Sequence, residues 1–308
     1  MRHLLGMEDV GESLESLLSE ALDLKRRHKE GRAPSPGPLA GKTLGMIFEK
    51  SSTRTRVSFE VGAAKLGGRA IFLSQDDLQL GRGESIEDTA KVLARYVDLL
   101  MYRCKRHADL AELARHATVP VINGLSETEH PCQVLADWLT IRERKGTLAG
   151  LTFAYLGDGN NMCRSYLLGG ALAGMHVRVA TPRGYGPGEE YVARARAIAT
   201  RTGASVHVQV GIDGALAGAD VVATDTWVSM GDEKEKEQRL HDFRGFTIDA
   251  PRMAQAKGDA IFLHCLPAYY GYEVTKDVAH GPQSAIWDEA ENRMWAQMAV
   301  MAKLAGAR

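Results

Sequence analysis

The chain has no apolar run approaching the ~20 residues that a membrane-spanning helix needs. Cysteine is scarce: Cys104, Cys132, Cys163 and Cys265 are scattered, with no CxxC pair. That argues against a disulfide framework, and Cys132 and Cys265 have no metal-ligand spacing around them, so no metal is expected. Charge imbalance is missing too. With 38 basic and 39 acidic residues the net charge is −1, and nothing favours nucleic acid or an anionic membrane as a partner. The opening residues hold too short an apolar stretch for a secretory signal, so the expected compartment is the cytoplasm.

What is present is a chain of 308 residues, enough for about two domains with a core each. Hydrophobic periodicity predicts an amphipathic helix over 8–29 and a proline-rich linker over 33–38. Strands are expected at 43–48, 70–73, 97–102 and 119–123, separated by helices. Between the first two strands Val57, Val61, Ala64 and Leu66 fall at helical spacing, with Gly67-Gly68 as the stop. Ser85 and Asp88 read as a capping-box variant. His130-Pro131 opens a helix to about 145. A second series follows: strands 151–156, 176–180, 205–210, 220–224 and 260–264, with helices at 161–173, 189–202 and 213–218. The run 232–237 reads as a solvated helical face. Strand–helix alternation implies parallel sheets covered on both faces. The expected fold is α/β with two domains, each a parallel sheet flanked by helices, and the active site in the cleft between them. The boundaries are 1–145 and 146–286, with the final helix, 287–308, packing back on the first domain.

Chemistry-bearing residues gather where strands end, which is where ligands bind in open α/β sheets. Phe48-Glu49-Lys50-Ser51-Ser52-Thr53-Arg54-Thr55-Arg56 joins the first strand to a helix. A helix N-terminus offers unpaired N–H groups and a positive dipole end, and Arg54 adds a planar fork suited to phosphate oxygens. The same hydroxyls could serve as a plain N-cap, but a cap needs one and this turn has four, which favours an anion site. Arg103, His130, Asn160-Asn161, Asp225 and His264-Cys265 follow other strands. Gly157-Asp158-Gly159-Asn160-Asn161-Met162 is half a dinucleotide fingerprint. Its third glycine is missing and Thr181 stands where an acid should end the next strand, so nicotinamide binding is disfavoured. Gly41-Lys42-Thr43 fails as a P-loop because it precedes the strand.

Together, Ser52-Thr53-Arg54-Thr55, Arg103, His130-Pro131-Cys132-Gln133, Asp225-Thr226-Trp227-Val228-Ser229-Met230-Gly231 and His264-Cys265-Leu266-Pro267 resemble, in this order, the motifs of the ornithine carbamoyltransferases. The resemblance covers nearly the whole chain. It implies that Ser52, Thr53, Arg54, Thr55 and Arg103 hold the phosphate of carbamoyl phosphate. Thr55, Arg103 and His130 would face the carbamoyl oxygen, and Gln133 the carbamoyl amide. It implies that Gln79 reaches the site of a neighbouring subunit, and that Asn161, Asp225, Ser229 and Met230 bind the amino-acid end of L-ornithine. Cys265, Leu266 and Arg293 would complete the reacting end, with Arg103, His130, Asp225 and Cys265 as the catalytic group. Cys132 departs from the family pattern, where many relatives have threonine, and is expected to face away from substrate. The implied assembly is a homo-oligomer, a trimer, and the implied direction is biosynthetic, toward citrulline and arginine.

Carbamoyl transfer needs donors on the carbonyl oxygen, neutralisation of the leaving phosphate, and a neutral δ-amine. Substrate phosphate, or Cys265 with Asp225, could take the proton. No metal or organic cofactor is called for, because positioning and electrostatics suffice. The segment 226–239 reads as a closing lid with Gly231 as hinge. The alternatives are a carbamoyltransferase for N-acetylornithine, putrescine or aspartate, an enzyme running toward citrulline breakdown, or a non-catalytic phosphometabolite binder. Asp225 and Ser229 favour a free α-amino acid. Retention of Arg103, His130 and Cys265 together favours catalysis over binding alone.

Overall fold

The computed structural model describes residues 1–80, 83–228 and 233–306. Contacts divide the chain into two units, residues 1–139 with 291–308, and residues 140–290. The division falls inside two long helices, α5 (Pro131–Lys145) and α11 (Ile286–Gly306).

The first unit is built on β1 (Thr43–Phe48), β2 (Arg69–Ser74), β3 (Leu99–Arg103) and β4 (Val121–Leu125), all parallel, in the order β2-β1-β3-β4. β3 is buried at every position and β1 at all but its first, as expected for central strands of a parallel sheet covered on both faces. The helices are α1 (Leu14–Lys29), α2 (Thr53–Lys65), α3 (Ile86–Leu93) and α4 (His107–His116). Ile47, Leu100, Tyr102, Leu110 and Val121 lie at the centre of the core.

One sequence expectation changes here. The first helix does not start at 8: 3-10 turns at Met7–Asp9 and Gly11–Ser13 precede α1, and Gly11 sits at φ 46°, outside the helical region. On α2 the buried face is Thr55, Phe59, Gly62 and Ala63, whereas Val57 and Val61 are 50% and 40% exposed. The reason is the close approach of α11. A Cβ at Gly62 would come within 3.1 Å of Met298, so the small residues, not the valines, mark the contact.

The second unit contains β5 (Thr152–Leu156), β6 (His176–Thr181), β7 (Val206–Val210), β8 (Val221–Thr224) and β9 (Ile261–His264), again all parallel, in the order β7-β6-β5-β8-β9. It carries α6 (Asn161–Leu172), α7 (Glu189–Thr202), α8 (Lys236–Asp242), α9 (Ala250–Met253) and α10 (Lys276–Ala279). Leu156, Val222, Trp227, Phe243 and Phe262 anchor its core. The helix expected at 213–218 is a set of turns, because Gly214 and Gly218 take φ 70° and 63°. Lys234–Glu237 is exposed, as the charge run implied.

Each sheet reverses its strand order once. The chain steps outward from β1 to β2 and returns to the other side with β3, and likewise from β5 through β7 and back with β8. Such switch points open a crevice beyond the strand ends, and they fix where ligands bind in this class of fold.

Candidate active site

At the first switch point, between β1 and β3, the backbone enters α2. Ser52 caps this helix, its hydroxyl accepting from Thr55 N at 3.3 Å. One of the four hydroxyls is therefore a cap, as the plainer reading required. Thr53 and Arg54 are exposed on the first turn, and Thr55 is buried. The Thr55 hydroxyl is a meeting point: Ser52 Oγ approaches at 3.2 Å, Arg103 Nη1 donates to it at 3.4 Å and Arg293 Nη2 at 3.3 Å. Arg103 ends β3, in register with Phe48 on β1. Arg293 comes from α11 and also donates to Gln133 Oε1 at 2.5 Å, while Gln133 Nε2 donates to Asp137 Oδ1 at 2.7 Å.

His130 lies just before α5 and is 5% exposed. Burial pushes its imidazole well below the ordinary value of 6.5, and the positive charges of Arg293, Arg103 and Arg54 push it the same way. At neutral pH the ring is uncharged and can donate one hydrogen bond without adding a charge. The Cys132 thiol is directed at Asn123 O at 3.5 Å, and burial raises its pKa to about 12.

The loop itself is held by a residue the sequence does not single out. Glu49 accepts from the Tyr102 hydroxyl and from Lys105 N, the latter at 2.7 Å, and its own N–H donates to Arg103 O at 3.0 Å. The carboxylate thereby ties the β1–α2 turn to the end of β3. In sequence it looks like an ordinary loop glutamate.

At the second switch point, between β5 and β8, acceptors dominate. Asp225, just beyond β8, is 6% exposed. Its Oδ2 accepts from Asn160 Nδ2 at 2.8 Å, and its Oδ1 accepts from Cys265 Sγ at 3.1 Å and from Thr226 N at 2.8 Å. A carboxylate has about four acceptor positions, and donors among the described residues take three of them, one of these on Oδ2. The family resemblance implies a role for Asn161 alone, yet Asn160 does two tasks. Its Oδ1 caps α6 through Met162 N and Cys163 N, which leaves its amide N–H free to face Asp225 and no other way. Asn161 is the first residue of α6 and half-buried.

The His-Cys-Leu-Pro segment is fixed on both sides of Cys265. His264 N donates to the buried Glu289 at 2.8 Å, and Leu266 N donates to His264 Nδ1 at 2.9 Å. The other ring nitrogen meets Glu273 at 3.2 Å. Donor atoms of Asp225, His264 and Cys265 lie within 4.8 Å of one another, a convergence that sequence spacing did not reveal. With both His264 nitrogens engaged, the ring would have to abandon one of them to bind a metal, so the cluster reads as a hydrogen-bonded network.

The half-fingerprint also finds its explanation. Gly159 N donates to Tyr185 O at 2.8 Å, and a Cβ at Gly159 would meet the Gly186–Pro187 peptide at 2.3 Å. The glycine makes room for protein backbone where a dinucleotide pyrophosphate would otherwise approach. A hollow of about 380 Å³ beside this loop, lined by Pro182, Glu189, Arg196 and Val208 among others, includes none of the expected site residues.

Gln79 is exposed beyond β2, apart from the Thr55 cluster's hydrogen bonds. Ser229 and Met230 lie outside the described residues, as does the Gly231 hinge of the expected lid. On either side of that stretch the chain is anchored: Trp227 is buried against Phe243, and Arg239 donates to Asp158 at 2.8 Å and to Trp227 O at 3.2 Å.

Comparison with known proteins agrees over the full length. Residues 2–143 match the model of the aspartate/ornithine carbamoyltransferase carbamoyl-P binding domain, and residues 149–304 that of the Asp/Orn binding domain. The chain is 54% identical over 304 residues to ornithine carbamoyltransferase of Methanoculleus marisnigri, covering 98% of this chain and 96% of the relative. The structure of ornithine carbamoyltransferase from Pyrococcus furiosus aligns with a TM-score of 0.95 at 49% identity, over 100% of this chain and 98% of that one. The anabolic ornithine carbamoyltransferase from Campylobacter jejuni aligns with a TM-score of 0.92 at 43% identity, over 100% of both.

Proposed function

This chain belongs to the aspartate/ornithine carbamoyltransferase family, and from that premise we propose that it transfers the carbamoyl group of carbamoyl phosphate to the δ-amine of L-ornithine, giving L-citrulline and phosphate. The observation that carries the reading is the convergence of Arg103 and Arg293 on the Thr55 hydroxyl at the N-terminus of α2, beside an uncharged His130.

In this reading Ser52, Thr53, Arg54, Thr55 and Arg103 hold the phosphate, where the helix N-terminus and the guanidinium groups offset the charge that grows on leaving. His130, Arg103 and Thr55 donate to the carbamoyl oxygen. Gln133 meets the carbamoyl nitrogen, and Arg293 and Leu266 close the reacting end. Asn161, Asp225, Ser229 and Met230 bind the amino-acid end of ornithine, with Asp225 receiving its α-ammonium. The neutral δ-amine attacks the carbamoyl carbon. A C–N bond forms, the C–O bond to phosphate breaks, and the amine proton goes to the departing phosphate. Cys265 already donates its S–H to Asp225 and so stays a donor beside the amine.

The cellular direction is biosynthetic, a reading supported by the likeness to the anabolic Campylobacter enzyme. The compartment is the cytoplasm, in keeping with four scattered cysteines. The assembly is a homotrimer in which Gln79 serves a neighbour's site. Exposed apolar side chains support this: Val57 and Val61, one turn apart on α2, and Ile71 on the edge strand β2. Residues 1–145 with the last helix form the carbamoyl-phosphate domain and 146–286 the ornithine domain.

The test is a colorimetric ureido assay with carbamoyl phosphate and, separately, ornithine, N-acetylornithine, putrescine and aspartate. Product with ornithine alone is expected. Product with another amine would overturn the second-substrate assignment, and no product from folded protein would overturn the activity.

A further inference from the structure

We propose that Asn160 is a positioning residue for the second substrate: one side-chain amide starts α6 and at the same time holds the Asp225 carboxylate in the orientation that receives the α-ammonium of ornithine. The inference rests on the reading of Asp225 as the group that meets that ammonium. Asn160 follows β5 and Asp225 follows β8, and the two strands are parallel neighbours, with Tyr155 in register with Ala223. Thr224 Oγ1 donates to Leu156 O at 2.6 Å, which ties the strand ends together. Asn160 Nδ2 donates to Asp225 Oδ2 at 2.8 Å, and Asn160 Oδ1 accepts from Met162 N at 2.9 Å and from Cys163 N at 3.2 Å.

A helix N-cap needs only an acceptor, and serine, aspartate and asparagine serve about equally well. Here the cap residue has a second neighbour, and that neighbour separates the three. A serine hydroxyl caps the helix but stops one atom short of Asp225. An aspartate caps the helix and sets an oxygen against the Asp225 carboxylate. Of the three, only asparagine carries an acceptor for the helix and a donor for the acid. Nor can the amide sit the other way round, because its NH2 would then face two backbone donors and its oxygen a carboxylate.

The carboxylate gains a fixed plane from this arrangement. The last torsion of an aspartate side chain is soft, so holding one oxygen leaves the other to swing. Thr226 N and Cys265 Sγ hold Oδ1 at 2.8 and 3.1 Å, and Asn160 is the donor on Oδ2 among the described residues. Asp225 is 6% exposed, and in so dry a place a hydrogen bond to a charged group is strong. The donor is itself fixed by α6, a helix of 12 residues that is buried along most of its length. The rigidity of the helix thus passes to the acid. Asn160 touches no substrate in this scheme and acts through Asp225.

The experiment compares wild type, Asn160→Ser, Asp225→Ala and the double variant in the full chain. It measures KM for ornithine and for carbamoyl phosphate, and Ki for 5-aminopentanoate, which is ornithine with hydrogen in place of the α-ammonium. In Asn160→Ser, which keeps a cap, ornithine should weaken roughly tenfold, the worth of a hydrogen bond to a charged group. Binding of 5-aminopentanoate and of carbamoyl phosphate should change less than about twofold. Adding Asn160→Ser to Asp225→Ala should change ornithine no further. Equal weakening of ornithine and 5-aminopentanoate, or an unchanged KM for ornithine, overturns the proposal. If Asp225→Ala leaves the ornithine-to-5-aminopentanoate ratio untouched, the assignment of Asp225 itself fails. If Asp225→Ala erases the ratio and Asn160→Ser keeps it, only the role of Asn160 fails. Should Asn160→Ser not fold, Asn160→Gly, which is also a tolerated N-cap, is held to the same outcomes. A wild-type protein that binds 5-aminopentanoate as tightly as ornithine overturns the proposal without any variant.

Discussion

At the switch point of the four-stranded sheet the polar side chains are donors: Arg103 and Arg293 converge on one hydroxyl, beside a neutral imidazole and a helix N-terminus. At the switch point of the five-stranded sheet they are arranged around an acceptor, Asp225, which three donors surround among the described residues. The backbone framework is the same in both, parallel strands with a single reversal of order. The contrast shows that the fold supplies the place and the side chains supply the sign. A phosphate that leaves with growing charge needs fixed donors, which cost no reorganisation when the charge develops. An amino acid that arrives as a cation at its α-amino group needs a carboxylate held in one orientation.

The largest effect should come from stripping the donor side. Arg54→Ala removes an exposed guanidinium from the first turn of α2, and kcat should fall roughly 10²–10³-fold with the melting temperature unchanged. Steady-state kinetics with calorimetry on the same sample checks this, and retained affinity for carbamoyl phosphate would remove the phosphate role. On the acceptor side, Asp225→Asn should lower kcat/KM for ornithine by about 10²-fold while KM for carbamoyl phosphate moves less than about twofold. Whichever way the new amide turns, its NH2 meets a donor: Asn160 on one side, Cys265 and Thr226 on the other. Asn160 cannot turn to compensate, because its oxygen caps α6. The mismatch should also cost about 1–3 kcal/mol of stability in denaturant unfolding. A matched loss for both substrates would mean that the two halves are not separable in the way described.

Smaller still, Cys265→Ala should reduce kcat roughly tenfold or less, since it removes one neutral donor from Asp225 and leaves two. Cys265→Ser, which keeps a donor, should lie between the variant and wild type. The smallest effect is on stability against pH. His130 is held below 6.5 in the folded state, first by burial and then by Arg293, Arg103 and Arg54. The unfolded chain therefore takes up this proton first as pH falls. Stability is undiminished above about 6.5 and declines from there toward the folded value, with a slope of at most about 1.4 kcal/mol per pH unit. His130→Gln should flatten that decline relative to wild type between pH 6.5 and 5, as read by urea unfolding. An identical slope in both proteins would mean that another group carries the titration.

Hydrophobic periodicity and strand–helix alternation were enough to determine two parallel-sheet units, because a strand covered on both faces must be apolar throughout and an intervening helix must be amphipathic. The same logic placed Thr55, Arg103, His130, Asp225 and Cys265 at strand ends, where open sheets bind ligands. Local reasoning failed where a partner distant in sequence decides the outcome. The spacing of Val57 and Val61 marks α2 as a helix but not which face is buried, and the packing of Met298 and Met301 puts Gly62 on that face. At Gly159 the sequence argued only against a nucleotide loop, and it is the 185–187 backbone that explains why a glycine is needed there. Glu49 and Asn160 lie inside the strand-end stretches, but nothing local gives them a task, since a carboxylate or amide becomes a positioning group only through the donors that surround it. Sequence by itself determined the elements, their parallel pairing and the chemical types available at each strand end. Only the tertiary structure decided which of those groups touch, because hydrogen-bond direction, burial and the sign of a neighbour's charge are properties of contacts between residues far apart in the chain.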